Sequence, residues 1–159
     1  MAKIKRSEVM TFMDTTPSST ATYKLIGDGV TTGAIGYNPK TSEETYIHED
    51  SATITVESYA PTMAVEATAV SGDDVFEFID ALRVARATLD DAETTIVNVW
   101  AYESGGPTAY PAEEQEVSIQ INEFGGDGGT AAKINYTINF IGDPVVGTFN
   151  ASTSTFIES

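Results

Sequence analysis

The stretch PTMAVEATAVSGDDVFEFIDALRVAR (61–86) decides the fold, because its hydrophobic period changes from two to about 3.6. In the first part, Met63 and Val65 alternate with polar residues such as Glu66, as in a half-buried strand. In the second part, apolar residues recur every three or four positions, which predicts an amphipathic helix over about 73–86. Acidic capping residues at its start and arginines near its end agree with the helix dipole. The apolar stripe consists of Val75, Phe78, Ile79, Leu82 and Ala85.

Further strands are predicted on both sides of this stretch. They read TYKLIG (22–27), TTGAIGY (31–37), ETYIHED (44–50), ATITVES (52–58), TIVNVWAY (95–102), QEVSIQIN (115–122) and AKINYTINFIG (132–142). In 52–58, Ile54 and Val56 alternate with polar residues, which predicts one buried and one wet face. In 95–102 both faces are apolar, so we expect a central strand. The sequence therefore predicts a mainly β, antiparallel fold with one helix.

The ends of the chain differ in composition from its middle. Residues 1–20 contain one apolar cluster, VMTFM (9–13), and the Thr/Ser/Pro-rich run TTPSSTAT (15–22), and we interpret them as an N-terminal arm or a weakly ordered lead-in strand. The remaining chain suits one domain over 21–151 with a C-terminal tail over 152–159. ESGGPTAYPAEE (103–114) and EFGGDGGTAA (123–132) are predicted loops.

Charge is distributed very unevenly along the chain. The 159 residues carry 24 acidic and 8 basic side chains, a net charge of −16, and Lys3, Lys5 and Arg6 lie within the first six positions. Such a surface repels phosphate backbones and acidic membranes, because nucleic-acid binding relies on Lys and Arg. The acidity fits solubility or a salt-rich habitat as well as a function. A basic tip beside an acidic body could also dock onto a neighbouring copy.

The motifs that invite a catalytic or metal-binding interpretation are weak. GGDGG (125–129) lacks the tandem copies of glycine-rich calcium repeats, and His48, the only histidine, has no nucleophile elbow or cysteine to act with. Paired carboxylates lie in predicted turns. No apolar run approaches the roughly 18 residues of a membrane span, and no signal peptide is expected. We therefore expect no enzyme activity, no cofactor, no metal and no membrane insertion.

Three motifs carry a resemblance to a known family. IGDGV (26–30), YNPKTSEETYIHED (37–50) and GDDVFEFIDALR (72–83), followed by a β-rich second half, resemble the major tail (tail tube) proteins of long-tailed bacteriophages, particularly those with non-contractile tails. The resemblance covers about residues 23–150. It implies an antiparallel β-sandwich or partly open barrel flanked by one α-helix. It also implies rings, usually hexameric, that stack into a hollow tube through which DNA passes.

The resemblance also implies where copies of the chain meet. Ring stacking would involve the N-terminal arm, the C-terminal tail and the loop of about 39–58. Loss of residues 1–14 is expected to leave a folded, soluble subunit that no longer elongates into tubes. The implied interface candidates are Lys3, Lys5, Arg6, Phe12, Tyr46, Ile47, His48, Glu49 and Asp50. The implied partners are further copies, the tape measure, the tail terminator and the baseplate or initiator, with DNA only as non-specific cargo. The implied location is the virion tail, after assembly in the host bacterial cytoplasm.

Two other classes stay open. A contractile-tail inner tube or a secretion-system tube would share fold and oligomer. A monomeric carbohydrate-binding or adhesin β-sandwich would also be acidic and Thr-rich, but it would expose an aromatic platform. Trp100, the only tryptophan, lies within a predicted strand and is expected in the core.

Overall fold

The computed structural model describes residues 1–103 and 105–159, so that Ser104, in the predicted loop 103–114, lies outside the described residues. The strands are β1 Val9–Asp14, β2 Tyr23–Leu25, β3 Val30–Gly36, β4 Pro39–Glu44, β5 Thr53–Tyr59, β6 Thr62–Thr68, β7 Glu93–Trp100, β8 Tyr110–Gly125, β9 Lys133–Asn150 and β10 Thr155–Glu158. The helix α1 spans Asp74–Ala85, and short 3-10 turns cover Arg6–Glu8 and Leu89–Ala92.

Eight strands form one antiparallel sheet that curves into a half-barrel. The order is β2-β1-β7-β8-β9-β6-β3, with β10 paired to β9, while β4 and β5 form a separate two-stranded ribbon. The long strands β8 and β9 pair from Tyr110↔Phe149 to Gly125↔Lys133, and bulges interrupt this ladder at Glu114/Glu116 and Ile121/Glu123. The expected mainly β, antiparallel, partly open barrel with one helix is confirmed.

The inner face of the sheet and the helix share one core. Met63 and Val65 of β6 are buried there, as the strand alternation predicted. Val75 and Ile79 of α1 pack into the same cluster. Asp73 caps the helix by accepting a hydrogen bond from the Phe76 amide at 3.0 Å. The predicted helix is therefore confirmed to within a residue at each end, because its cap and its apolar stripe both follow from local chemistry.

A second cluster lies on the other face of β1 and β7. Phe149 of β9 is fully buried there, and its ring centroid is 4.5 Å from that of Phe12. Tyr23 meets Phe149 edge-on at 6.2 Å and donates a hydrogen bond to Glu114. Burial and the charge of Glu114 both raise the pKa of Tyr23. This cluster ties the start of the chain to its end.

Residues 1–20 were predicted to be an arm or a lead-in strand, and the structure places a strand, β1, within them. Val9–Asp14 lies between β2 and β7, and Met13 is completely buried. Because removal of β1 would open both clusters, the structure argues against a folded subunit after loss of residues 1–14. At the other end, the predicted tail of residues 152–159 contains β10, which pairs with β9.

The ribbon departs furthest from the predicted strands. The predicted strand 44–50 is wrong, because β4 ends at Glu44 and residues 45–52 form the turn. Every residue of β5 is exposed, so the predicted half-burial of Ile54 and Val56 does not occur within the subunit. The predicted loop 103–114 also ends early, because β8 begins at Tyr110.

Candidate functional site: ribbon and barrel mouth

The ribbon leaves the half-barrel at a fixed joint. Asn38 has a left-handed backbone, φ 46°, and its side-chain Nδ2 donates to the Ala60 carbonyl at 3.0 Å and to Thr62 Oγ1 at 3.2 Å. The Ala60 amide donates to the Tyr37 carbonyl across the same joint. The two strands of the ribbon are thereby held together where they join the barrel, and beyond this joint they form a sheet of their own.

The ribbon carries apolar side chains that the subunit does not cover. Ile54 is 66% exposed, Val56 is 50% exposed and Ile47, in the turn, is fully exposed. Exposed apolar residues are common singly, but a cluster on one projecting element marks an interaction surface. Only Lys40 and Glu57, 3.5 Å apart, form an ion pair across its strands among the described residues.

Five of the predicted interface residues lie together in the turn of the ribbon. These are Tyr46, Ile47, His48, Glu49 and Asp50. Tyr46 and His48 stack with ring centroids 6.4 Å apart, and His48 lies 3.5 Å from Glu49. Glu49 also accepts a hydrogen bond from Thr53 at 2.9 Å. The predicted loop is therefore an ordered tip with both apolar and acidic side chains.

The four predicted interface residues near the N-terminus differ in exposure and in their contacts. Lys3 and Lys5 are exposed. Arg6 instead donates to the carbonyls of Val9 and Gly33, each at 2.6 Å, and so links the start of β1 to β3 across the open seam of the half-barrel. Phe12 is 8% exposed within the second cluster, so its assignment as an interface residue is corrected.

A cavity of about 790 Å³ opens at the mouth of the half-barrel, beside the ribbon joint. Trp100, Glu113 and Gln115 come from the inner side of β7 and β8, and Phe140 comes from β9. The remaining lining residues come from the ribbon joint and the bend of β9, and they are Tyr37, Ser58, Tyr59, Pro61, Gly142, Asp143 and Pro144. Trp100 was expected in the core, but it is only half-buried at this opening.

The walls of this cavity are fixed by local contacts. Gln115 is buried at a bulge of β8 and donates to the Ile141 and Gly142 carbonyls at 2.6 and 3.2 Å, which holds the bend of β9. Tyr37 and Tyr59 meet edge to face with centroids 6.4 Å apart. No pattern in the sequence marks this site, because only the pairing of distant strands brings its residues together.

Glu113 is the perturbed carboxyl of the cavity. Partial burial raises its pKa, and the neighbouring Asn98 amide lowers it in part. Asn98 is completely buried, accepts a hydrogen bond from Thr11 at 2.9 Å, and leaves its Nδ2 without a partner of good geometry among the described residues. Asn98 and Glu113 are directly paired across β7 and β8, so their side chains share one face of the sheet.

A neutral polar face covers part of β8 and β9. Gln120 donates to Asn122 at 2.8 Å, Asn122 donates to Thr137 at 2.9 Å, and Asn139 donates to Gln120 at 3.3 Å. These amides and hydroxyls satisfy one another while exposed. Such a surface presents no charge of its own, although the chain around it is strongly acidic.

Metal-ligand clusters and long apolar helices are absent from the part of the chain that the structure describes. No three His, Cys, Asp or Glu side chains in residues 1–103 and 105–159 converge as metal ligands would. Over the same residues, no helix has the length and apolar character that a bilayer crossing requires.

Comparison with known proteins gives a structural likeness alone. No family model matches the chain, and no curated protein matches it. Among solved structures, a chain from the tail of an empty GTA particle, determined by helical refinement with C6 symmetry, superposes with a TM-score of 0.64. The two share 10% sequence identity, over 89% of this chain and 97% of the other. At that identity the likeness establishes a shared fold.

Proposed function

We propose that this chain is a structural subunit of a phage-type tail tube. The observation that carries the proposal is the fold shared over 89% of the chain with the C6 tail structure, together with an apolar ribbon that the subunit leaves uncovered. Copies would form a hexameric ring, and rings would stack into a hollow tube. The protein would act by assembly and not by catalysis, without a cofactor.

The ribbon has the properties that a stacking element needs. It projects from a fixed joint and exposes Ile54, Val56 and Ile47, whose burial against another copy would be favourable. The open edges of the half-barrel at β2 and β3 provide unpaired backbone groups. Edges of this kind are a hazard in a free subunit but are satisfied when neighbouring copies continue or cover the sheet.

The charge of the subunit fits a conduit for DNA. A net charge of −16 opposes phosphate binding, so DNA would slide along the wall. Screening limits this repulsion to about 8 Å at physiological salt, so only carboxylates that face the lumen would contribute. DNA would then be passing cargo and would not be bound at a site.

The finer assignment follows the sequence resemblance. A non-contractile tail is favoured, with the tape measure, tail terminator and baseplate or initiator as further partners. The protein would be assembled in the host bacterial cytoplasm and reside in the virion tail. A contractile-tail inner tube or a secretion-system tube would use the same fold, and a sheath that binds the assembled tube would distinguish them.

One observation favours a second function. The cavity at the barrel mouth is lined by Tyr37, Tyr59, Trp100 and Phe140, and aromatic walls of this kind also occur in carbohydrate-binding modules. A monomeric adhesin would bind a neutral glycan there. This alternative makes no use of the exposed ribbon.

Negative-stain electron microscopy with light scattering on the same concentrated sample tests the proposal. Stacked rings or hollow tubes of uniform width are expected, nucleated where necessary by seeds of sheared tube. A chain that stays monomeric at high concentration in the presence of seeds, while it binds a glycan, would replace the tube proposal with the adhesin alternative.

A further inference from the structure

The cavity at the barrel mouth combines two kinds of wall. Trp100 and Phe140 line its barrel side, and Tyr37 and Tyr59 line its ribbon side. Glu113 and Asp143 also line the cavity. The described lining contains no lysine, arginine or histidine, so neither carboxylate has a cationic neighbour within the cavity.

This combination has a defined chemical preference. The face of an aromatic ring attracts a cation, Trp most strongly, and the attraction grows when the cation is removed from water. A carboxylate adds charge and accepts hydrogen bonds from an ammonium group. The volume of about 790 Å³ lies within the range of ligand pockets, roughly 300–1,000 Å³.

The interior behind the cavity compensates the charge of Glu113 only in part. Asn98 is buried and paired to Glu113 across the strands, and its Nδ2 donor has no hydrogen-bond partner of good geometry among the described residues, although it lies near enough to Glu113 to act on its charge. Burial disfavours the charge of Glu113, and the amide partly opposes that effect. A cation in the cavity would stabilise the charged form of Glu113 from the solvent side, opposite Asn98.

A second acidic cavity provides a contrast within the same molecule. It is lined by Asp90, Asp91, Glu93 and Glu116 with threonines, and no aromatic residue is among its described lining. Carboxylates alone are solvated and select no organic group. The mouth cavity therefore differs from the acidity of the general surface by its aromatic walls.

We infer that the cavity at the barrel mouth is a binding site for an alkylammonium group, held between its aromatic walls and Glu113 and Asp143. Two sources offer this chemistry. One is a lysine of a second copy, for which Lys3 and Lys5 are exposed at the N-terminus. The other is a free diamine. The amine site itself does not depend on the proposed tube. If a lysine of a second copy is the ligand, however, the inference rests on the proposed function, because the site would then be a contact between subunits.

Fluorescence of Trp100 is a direct reporter, because it is the only tryptophan and it lines the cavity. The full-length K3Q/K5Q chain serves as receiver, so that its own lysines do not compete. The probes are 1,4-diaminobutane, 1,4-butanediol as the neutral analogue, and a synthetic peptide of residues 1–8. The variants are E113Q, D143N and, as a matched control in the other cavity, D90N.

We expect saturable changes with the diamine or the peptide and none with the diol. E113Q and D143N should each weaken binding about tenfold or more, whereas D90N should leave it unchanged. If the peptide binds more tightly than the diamine and loses that advantage when its lysines are glutamines, the source is a second copy. If the diamine binds as well as the peptide, the source is free amine.

Three results would overturn the site: no saturable change with either amine, equal binding of the diol, or equal weakening by D90N and E113Q. Near-ultraviolet circular dichroism identifies a misfolded variant. If either E113Q or D143N is misfolded, the other of the two tests the site. Electron microscopy of E113Q separates this inference from the tube: normal tubes with lost amine binding leave the tube intact, and amine binding in a chain that never assembles leaves the site intact.

Discussion

The double substitution I54T/V56T should impair assembly and leave the subunit folded. The two side chains are 66% and 50% exposed, so more than half of their burial remains available to a neighbouring copy. The substitutions remove three carbon groups and introduce two hydroxyls, and each buried carbon contributes about 0.8 kcal/mol. With roughly 60% of that burial at the interface, the loss is about 1.5 kcal/mol per contact, which is about tenfold in the association constant.

The assay is the protein concentration at which tubes first appear, read by light scattering and pelleting. It should rise about tenfold for I54T/V56T, while the free energy of unfolding of the dilute subunit changes by less than about 0.5 kcal/mol. V84T is the matched control, because Val84 is 64% exposed on α1, away from the ribbon. An unchanged assembly concentration in I54T/V56T, or an equal rise in V84T, would refute the ribbon as a stacking element.

Three further predictions follow from the fold. Deletion of residues 1–14 should abolish the cooperative thermal transition, because it removes a sheet strand with fully buried Met13, whereas deletion of residues 1–5 should keep the transition. D73A should lower the free energy of unfolding in urea by about 1 kcal/mol, because the α1 N-cap loses its acceptor. Burial raises the pKa of Glu113, so its ionisation destabilises the folded state increasingly as the pH rises above 4.5. The free energy of unfolding of E113Q relative to the native chain should therefore increase from acid to neutral pH. A difference that stays constant with pH would contradict this prediction.

The elements that could be predicted from the sequence are those whose signals are local. The α1 helix has its cap and stripe within a dozen neighbouring residues, and β6 shows a strict alternation. The sequence left β1 open as an arm or a weakly ordered lead-in strand, because VMTFMD gives little alternation and its burial comes from β2, β7 and Phe149, far away in sequence. A short strand placed between distant partners leaves no local pattern.

The candidate interface could be predicted only where its residues are neighbours in the chain. The turn residues 46–50 lie together because they are neighbours in the chain. Arg6 and Phe12 were assigned by position near the N-terminus, but Arg6 hydrogen-bonds to the carbonyl of Gly33 in β3, and Phe12, within β1, is buried in the second cluster. The mouth cavity joins Tyr37, Trp100 and Glu113, which only the sheet order brings together, so no spacing in the sequence marks it.

The distribution of charge decides what kind of contact can hold copies of this chain together. Subunits of net charge −16 repel one another, and the repulsion acts at every contact between like surfaces. Assembly therefore needs contacts that are either apolar or locally of opposite sign. In the proposed assembly, the exposed Ile54 and Val56 of the ribbon would supply the first, and contact of Lys3 or Lys5 with the acidic, aromatic cavity of another copy would supply the second. Because salt weakens both the general repulsion and the lysine contact, the apolar ribbon would then contribute most of the free energy of association at high ionic strength.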